Sequence, residues 1–168
     1  MAETKQLGVG DKLPEHSFQV LKEDAEGKQS VAQVSVADLF SGKKVVLFAL
    51  PGAYTPTCSA RHLPGYVDDV EKFRAKGVDT IVCLSVNDAF VMYHWGKEHK
   101  ADGKVVLVAD GDAAFSNKIG LSSDTGAFGG IRSQRYALVA DDGVVTHLAV
   151  EEPHKFEVSS SDSILEHL

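Results

Sequence analysis

Lys44-Val45-Val46-Leu47-Phe48-Ala49-Leu50-Pro51-Gly52-Ala53-Tyr54-Thr55-Pro56-Thr57-Cys58 opens the stretch around which this chain is organised, and that stretch runs on to Gly77. Positions 45–50 form an unbroken apolar run, the pattern of a strand covered on both faces. Pro51-Gly52 stops the strand. After Cys58 the apolar period changes: Leu63, Tyr66, Val67, Val70 and Phe73 recur at helical spacing and share one face. The spacing predicts a strand over 45–50, a tight turn, and a helix over 58–76 that ends at Gly77.

Cys58 then stands at or just inside a helix N-terminus. Unpaired N–H groups and the positive end of the helix dipole favour a thiolate over a thiol there. The thiolate is the reactive form. Thr55, three residues earlier, brings a hydroxyl within reach of the sulfur or of an oxygen bound beside it. Pro51 and Pro56 lack N–H groups and have fixed φ, so they stiffen the turn and shield the sulfur from water. A buried structural cysteine is the competing reading of Cys58, since free cysteine is among the most buried residues.

Working outward, 78–86 is a second apolar strand, and strand–helix–strand at this length is a right-handed parallel crossover. Asp88 caps a helix reaching about His99, 104–109 is a further strand, and 113–119 is a short helix ended by Gly120. Positions 122–130 read as a glycine-rich loop. Strands over 135–140 and 144–150 are joined by Asp141-Asp142-Gly143, a hairpin signal. A terminal helix is predicted over 163–168. At the other end, 18–21 and 31–34 read as strands around a turn at Glu26-Gly27, or equally as an irregular arm. Ser35 caps a brief helix through Phe40. The pattern is α/β, a mixed sheet flanked by helices in one domain spanning 1–168.

The 168 residues carry a net charge of −7, which argues against nucleic-acid binding through a basic face. No apolar run approaches the ~20 residues that a membrane span needs. The first residues lack a signal core or Arg-rich leader, so a cytoplasmic address is expected, with a cleaved organellar leader as the alternative. Two cysteines, Cys58 and Cys83, are too few for a secreted disulfide scaffold, and there is no C-x-x-C. No GxGxxG or P-loop appears and the seven histidines show no ligand spacing, so neither cofactor nor metal is expected. Cys83 lies within an apolar strand and reads as an inert core thiol, the rival being a redox partner of Cys58. His62 lies four residues after Cys58 and reads as peripheral, packed for structure. A cysteine hydrolase, with Cys58 and His62 or another histidine as a dyad, and a non-catalytic redox-sensing or chaperone-like module are the rival functions.

Pro51-x-x-x-Thr55-x-x-Cys58 resembles the active-site signature of the peroxiredoxins. Pro-Gly-Ala-Tyr-Thr-Pro-Thr-Cys-Ser, running on to His62-Leu63-Pro64-Gly65, is similar to the type II (peroxiredoxin V-like) members. So are 84–91, Trp95-Gly96, and Gly130-Ile131-Arg132-Ser133-Gln134-Arg135-Tyr136. The resemblance covers nearly the whole chain. It implies a thioredoxin-like fold with an N-terminal β-extension. It also implies a thiol peroxidase acting on hydrogen peroxide and organic hydroperoxides, with Cys58 passing through a sulfenic acid. Thr55 would orient the peroxide, Pro51 would shield the pocket, and Arg135, directly before Tyr136, would be the active-site arginine, with Arg132 supporting the loop. Animal-type members have a resolving cysteine where this chain has Val158. The likeness is therefore to the plant and bacterial type, regenerated by glutaredoxin with glutathione or by thioredoxin. A homodimer with an edge-on helix-and-loop interface near the site is implied as well.

Overall fold

The computed structural model describes residues 5–168. A seven-stranded sheet runs through the molecule in the order β2-β1-β5-β4-β3-β8-β9. Its strands are β1 (Ser17–Glu23), β2 (Gln29–Ser35), β3 (Lys44–Leu50), β4 (Thr80–Ser85), β5 (Val106–Ala109), β8 (Tyr136–Asp141) and β9 (Val144–Val150). β3, β4 and β5 are parallel, as the crossover predicts, and β8 returns antiparallel to β3. The β1–β2 hairpin is ordered structure, attached to β5 by the Gln19–Ala109 pair.

The unbroken apolar run is explained by two cores, one on each face. Val46, Phe48 and Leu50 of β3 face a layer built from Leu63, Tyr66, Val70, Phe73, Met92 and Trp95, with Cys58 and Cys83 among them. Val45, Leu47 and Ala49 face the opposite layer, where Leu39, Phe40, Phe115 and Ile119 pack. That second layer comes from helices α1 (Val36–Phe40) and α5 (Ala114–Lys118). Ser35 caps α1 in a reciprocal capping box with Asp38. At α5 the cap is supplied instead by the buried Asp110, which accepts the Phe115 and Ser116 N–H groups at 3.0 and 2.9 Å.

The predicted 58–76 helix is in fact three pieces. A wide π turn spans Cys58–His62, followed by α2 (Leu63–Asp68) and α3 (Val70–Ala75). Pro64 accounts for the first break, because it has no N–H for the carbonyl four residues back and its ring crowds that carbonyl. The turn before it widens, and the Leu63 N–H donates to the Cys58 carbonyl five residues back. The second break falls at Asp69, whose backbone leaves the helical region at φ −96°, ψ 9°, and whose carboxylate accepts the Ser161 hydroxyl at 2.8 Å. The predicted apolar face survives both breaks. Gly77, at φ 85°, ends α3 with the Val78 N–H on the Phe73 carbonyl and its own on Arg74, the Schellman pattern.

α4 (Ala89–Glu98) begins on Asp88 as expected. The predicted 122–130 loop instead contains β6 (Ser122–Asp124), which pairs with β7 (Ile131–Ser133) in a separate two-stranded unit. Asp142 and Gly143, both at positive φ, form the β8–β9 turn. The last helix, α6 (Ser161–Leu165), starts earlier than 163 because Ser160, within a run of serines, is the one that caps it.

Candidate active site

β3 delivers the chain to Pro51, and the loop that follows is held from two sides. The Ala53 N–H donates to Asn87 Oδ1 at 2.9 Å, and Tyr54 takes a left-handed φ of 65°. Thr55 closes the loop on itself, its hydroxyl donating to the Gly52 carbonyl at 2.7 Å. With the Thr55 proton committed there, the oxygen faces its surroundings as an acceptor and does not donate to the sulfur. The Thr55 carbonyl then accepts the Ser59 N–H at 2.9 Å, the first helical bond. Pro56 therefore fills the first helical position, where a missing N–H costs nothing. Cys58 lies in that first turn, with no solvent exposure.

Arg135 reaches Cys58 from the segment between β7 and β8. Its Nη2 donates to Sγ at 3.1 Å and its Nη1 donates to His62 Nδ1 at 2.9 Å. A guanidinium only donates, so Nδ1 accepts and the ring proton sits on Nε2. Nε2 in turn lies 3.0 Å from the Ser159 carbonyl, which also accepts the Tyr66 hydroxyl at 2.8 Å. Burial first, then the Arg135 charge, pushes the His62 imidazole down to about 3, the Ser159 bond offsetting only part. His62 is thus a neutral ring with both nitrogens engaged. It is no base for Cys58, which removes the Cys58–His62 form of the hydrolase dyad.

His62, expected to be peripheral, is the residue that holds the arginine. The π turn carries it onto the Cys58 side of the helix, and Phe48 packs on it at 4.9 Å and Phe156 at 5.0 Å. The Phe156 ring also lies under Arg61 at 4.6 Å and near the Arg135 guanidinium at 5.8 Å. The signal available in the sequence was the four-residue spacing from Cys58. Arg132 supports the loop, as the resemblance implied, donating to the Gly129 and Val86 carbonyls at 3.1 and 3.0 Å.

Cys83 is buried on β4, paired with Phe48, and both cysteines are free thiols. Burial pushes its thiol well up, Cys58 adds to that, and Arg135 counters it. Of the four residues singled out from the sequence, Cys58 and Arg135 are in direct contact. Thr55 is bonded into the same first turn, and Pro51 sits where β3 enters the loop.

A family model described as Redoxin matches residues 8–165. Peroxiredoxin-2B of Arabidopsis thaliana is 44% identical over 163 residues, covering 96% of this chain and 98% of that protein. The chain belongs to the peroxiredoxins. The chloroplastic peroxiredoxin-2E of the same plant is 45% identical over 98% of this chain and 70% of that protein. Among solved structures, reduced Prx3 of Vibrio vulnificus in complex with H2O2 superimposes with a TM-score of 0.90 at 49% identity, over 96% of this chain and 99% of that one. As a peroxiredoxin with the thioredoxin-like fold, the chain is a thiol-dependent peroxidase of antioxidant function.

Proposed function

We propose that Cys58 is the peroxidatic nucleophile of this peroxidase, in a single domain spanning 1–168, with Arg135, Thr55 and Pro51 completing the site. The observation that carries this is the Arg135 Nη2 donor 3.1 Å from a sulfur that has no contact with solvent. A fixed guanidinium is the charge complement of a thiolate and of the negative oxygen that leaves it. The sulfur lone pair attacks one peroxide oxygen, an S–O bond forms, and the O–O bond breaks with its electron pair on the other oxygen. That oxygen takes a proton and departs as water or an alcohol. Cys58 is left as a sulfenic acid, oxidised by two electrons. Thr55, an acceptor because its proton is on Gly52, receives the peroxide O–H. Pro51 closes the strand side of the loop against water.

The substrates are hydrogen peroxide, the molecule held by the reduced Vibrio protein in its complex, and small organic hydroperoxides. One external thiol displaces water from the sulfenic acid to give a mixed disulfide, and a second thiol releases Cys58. Glutaredoxin with glutathione, or thioredoxin, supplies them, consistent with Val158 in place of a resolving cysteine. The protein works in the cytoplasm as a homodimer. Tyr54, Phe128 and Ile131, exposed apolar residues of the loop and of the β6–β7 unit beside it, supply apolar surface for that contact.

Mixing reduced protein with one equivalent of hydrogen peroxide and counting thiols over milliseconds to seconds tests the reading. One thiol should vanish quickly in the wild type and in Cys83→Ser, and survive in Cys58→Ser. Loss no faster than that of free cysteine would refute it.

A further inference from the structure

Glu151 is a buried acid with no part in the chemistry above. It directly follows β9, and its backbone N–H donates to the Arg135 carbonyl at 2.9 Å. Its side chain gathers the next turn of chain around itself. The Glu157, Val158 and Ser159 N–H groups all reach its oxygens at 2.9 Å, and the Ser159 hydroxyl does so at 2.7 Å. Burying a carboxylate is costly unless donors replace its water, and four donors do so here. Burial pushes the carboxyl up, but the Ser159 hydroxyl and the three N–H groups outweigh it, and the net shift is downward.

The folded turn points its other face at the active site. It presents the Ser159 carbonyl to His62 Nε2 and to the Tyr66 hydroxyl, and it lays Phe156 against the His62 ring. His62 Nδ1 is then the acceptor that fixes one arm of the Arg135 guanidinium while the other arm meets the sulfur. We propose that Glu151 is a positioning residue for Arg135. Its carboxylate folds the 156–160 turn, and that turn holds His62 in the place and tautomer that aim the guanidinium at Cys58. This rests on the reading that Arg135 serves Cys58.

The test uses the full reduced chain and hydrogen peroxide in a stopped-flow instrument. Trp95 is the reporter, since its indole N–H donates to Ser59 Oγ, next to Cys58, at 3.0 Å. Glu151→Gln keeps the shape but replaces one acceptor oxygen with a donor, so oxidation should slow about 10- to 100-fold, the cost of a misplaced group. In an Arg135→Lys background, itself slowed by about 100- to 1000-fold, Glu151→Gln should add less than about twofold. A general loosening of the fold would slow both backgrounds equally, and that result overturns the proposal, as does a wild-type rate for Glu151→Gln. If Glu151→Gln does not fold, Ser159→Ala removes one donor and should give a smaller slowing that again vanishes with Arg135→Lys; an unchanged rate overturns the proposal. A wild-type rate for Arg135→Lys alone would refute the role of Arg135 and this proposal with it. An inert Glu151→Gln beside a slow Arg135→Lys would refute only the positioning.

Discussion

Arg135 divides its guanidinium between a sulfur and an imidazole, and the imidazole has to be neutral to accept its share. That requirement has a measurable cost in acid. The unfolded chain protonates His62 near its ordinary 6.5, whereas the folded chain does so only at about 3. Between those values the unfolded state binds more protons, so the stability is complete above about pH 6.5 and drains away as pH falls toward 3. His16 and His147 are also shifted down, burial first in each, and act in the same direction. Urea unfolding should therefore show a loss at pH 5 relative to pH 7, of which about 2 kcal/mol comes from His62. His62→Gln can still accept from Arg135 and donate to Ser159 but does not titrate in this range, so it should flatten that difference. An undiminished pH dependence in this variant would sink the assignment. Cys58, Thr55 and Pro51 were legible because one local turn displays them consecutively. His62 was not, because its partners, Arg135 and Ser159, come from chain segments 73 and 97 residues away.

The helix after Cys58 is where element-level reading failed, and Pro64 is the cause. Apolar spacing reports which face is buried, and it did so correctly across both breaks. It is blind to a widened turn, which changes the hydrogen-bond partner without removing an apolar residue from the core. Pro64→Ala restores the missing donor and lets the turn tighten, which rotates His62 away from Arg135. Peroxide oxidation of Cys58 should slow while thermal stability holds, and an unaltered rate would show that the turn is incidental. Glycines are read more reliably, and two of them can be ranked. Gly77→Ala meets open space and should cost about 1 to 2 kcal/mol for its positive φ alone. Gly120, at φ 71°, would place a Cβ 2.8 Å from the Gln6 backbone, so Gly120→Ala should lower the melting temperature further than Gly77→Ala. The 122–130 segment was missed as a strand because β6 is only three residues long and partly exposed, with no apolar alternation to show.

Across the whole molecule, the parallel centre of the sheet followed from one βαβ unit, and the antiparallel edge from the Asp142-Gly143 turn. Placing the N-terminal hairpin beside β5 could not follow from its own residues, since a single pair joins them. The proposed homodimer is a property of the same scale. Sedimentation velocity across micromolar concentrations should give a dimer for the wild type. Phe128→Glu, which places a charge on a side chain 73% exposed, should shift it toward monomer. A wild-type profile in that variant would move the interface elsewhere. The π turn, finally, is spare length. A helix that passes from five-residue to four-residue closure yields one residue of slack. Here that slack lies between the sulfur and Pro64, with the Leu63 N–H to Cys58 carbonyl bond spanning it. Letting it out would swing an oxidised Cys58 toward an arriving thiol while Tyr66 and Phe73 stay seated in the core, so that the sulfur proposed as nucleophile would shift without the fold being undone.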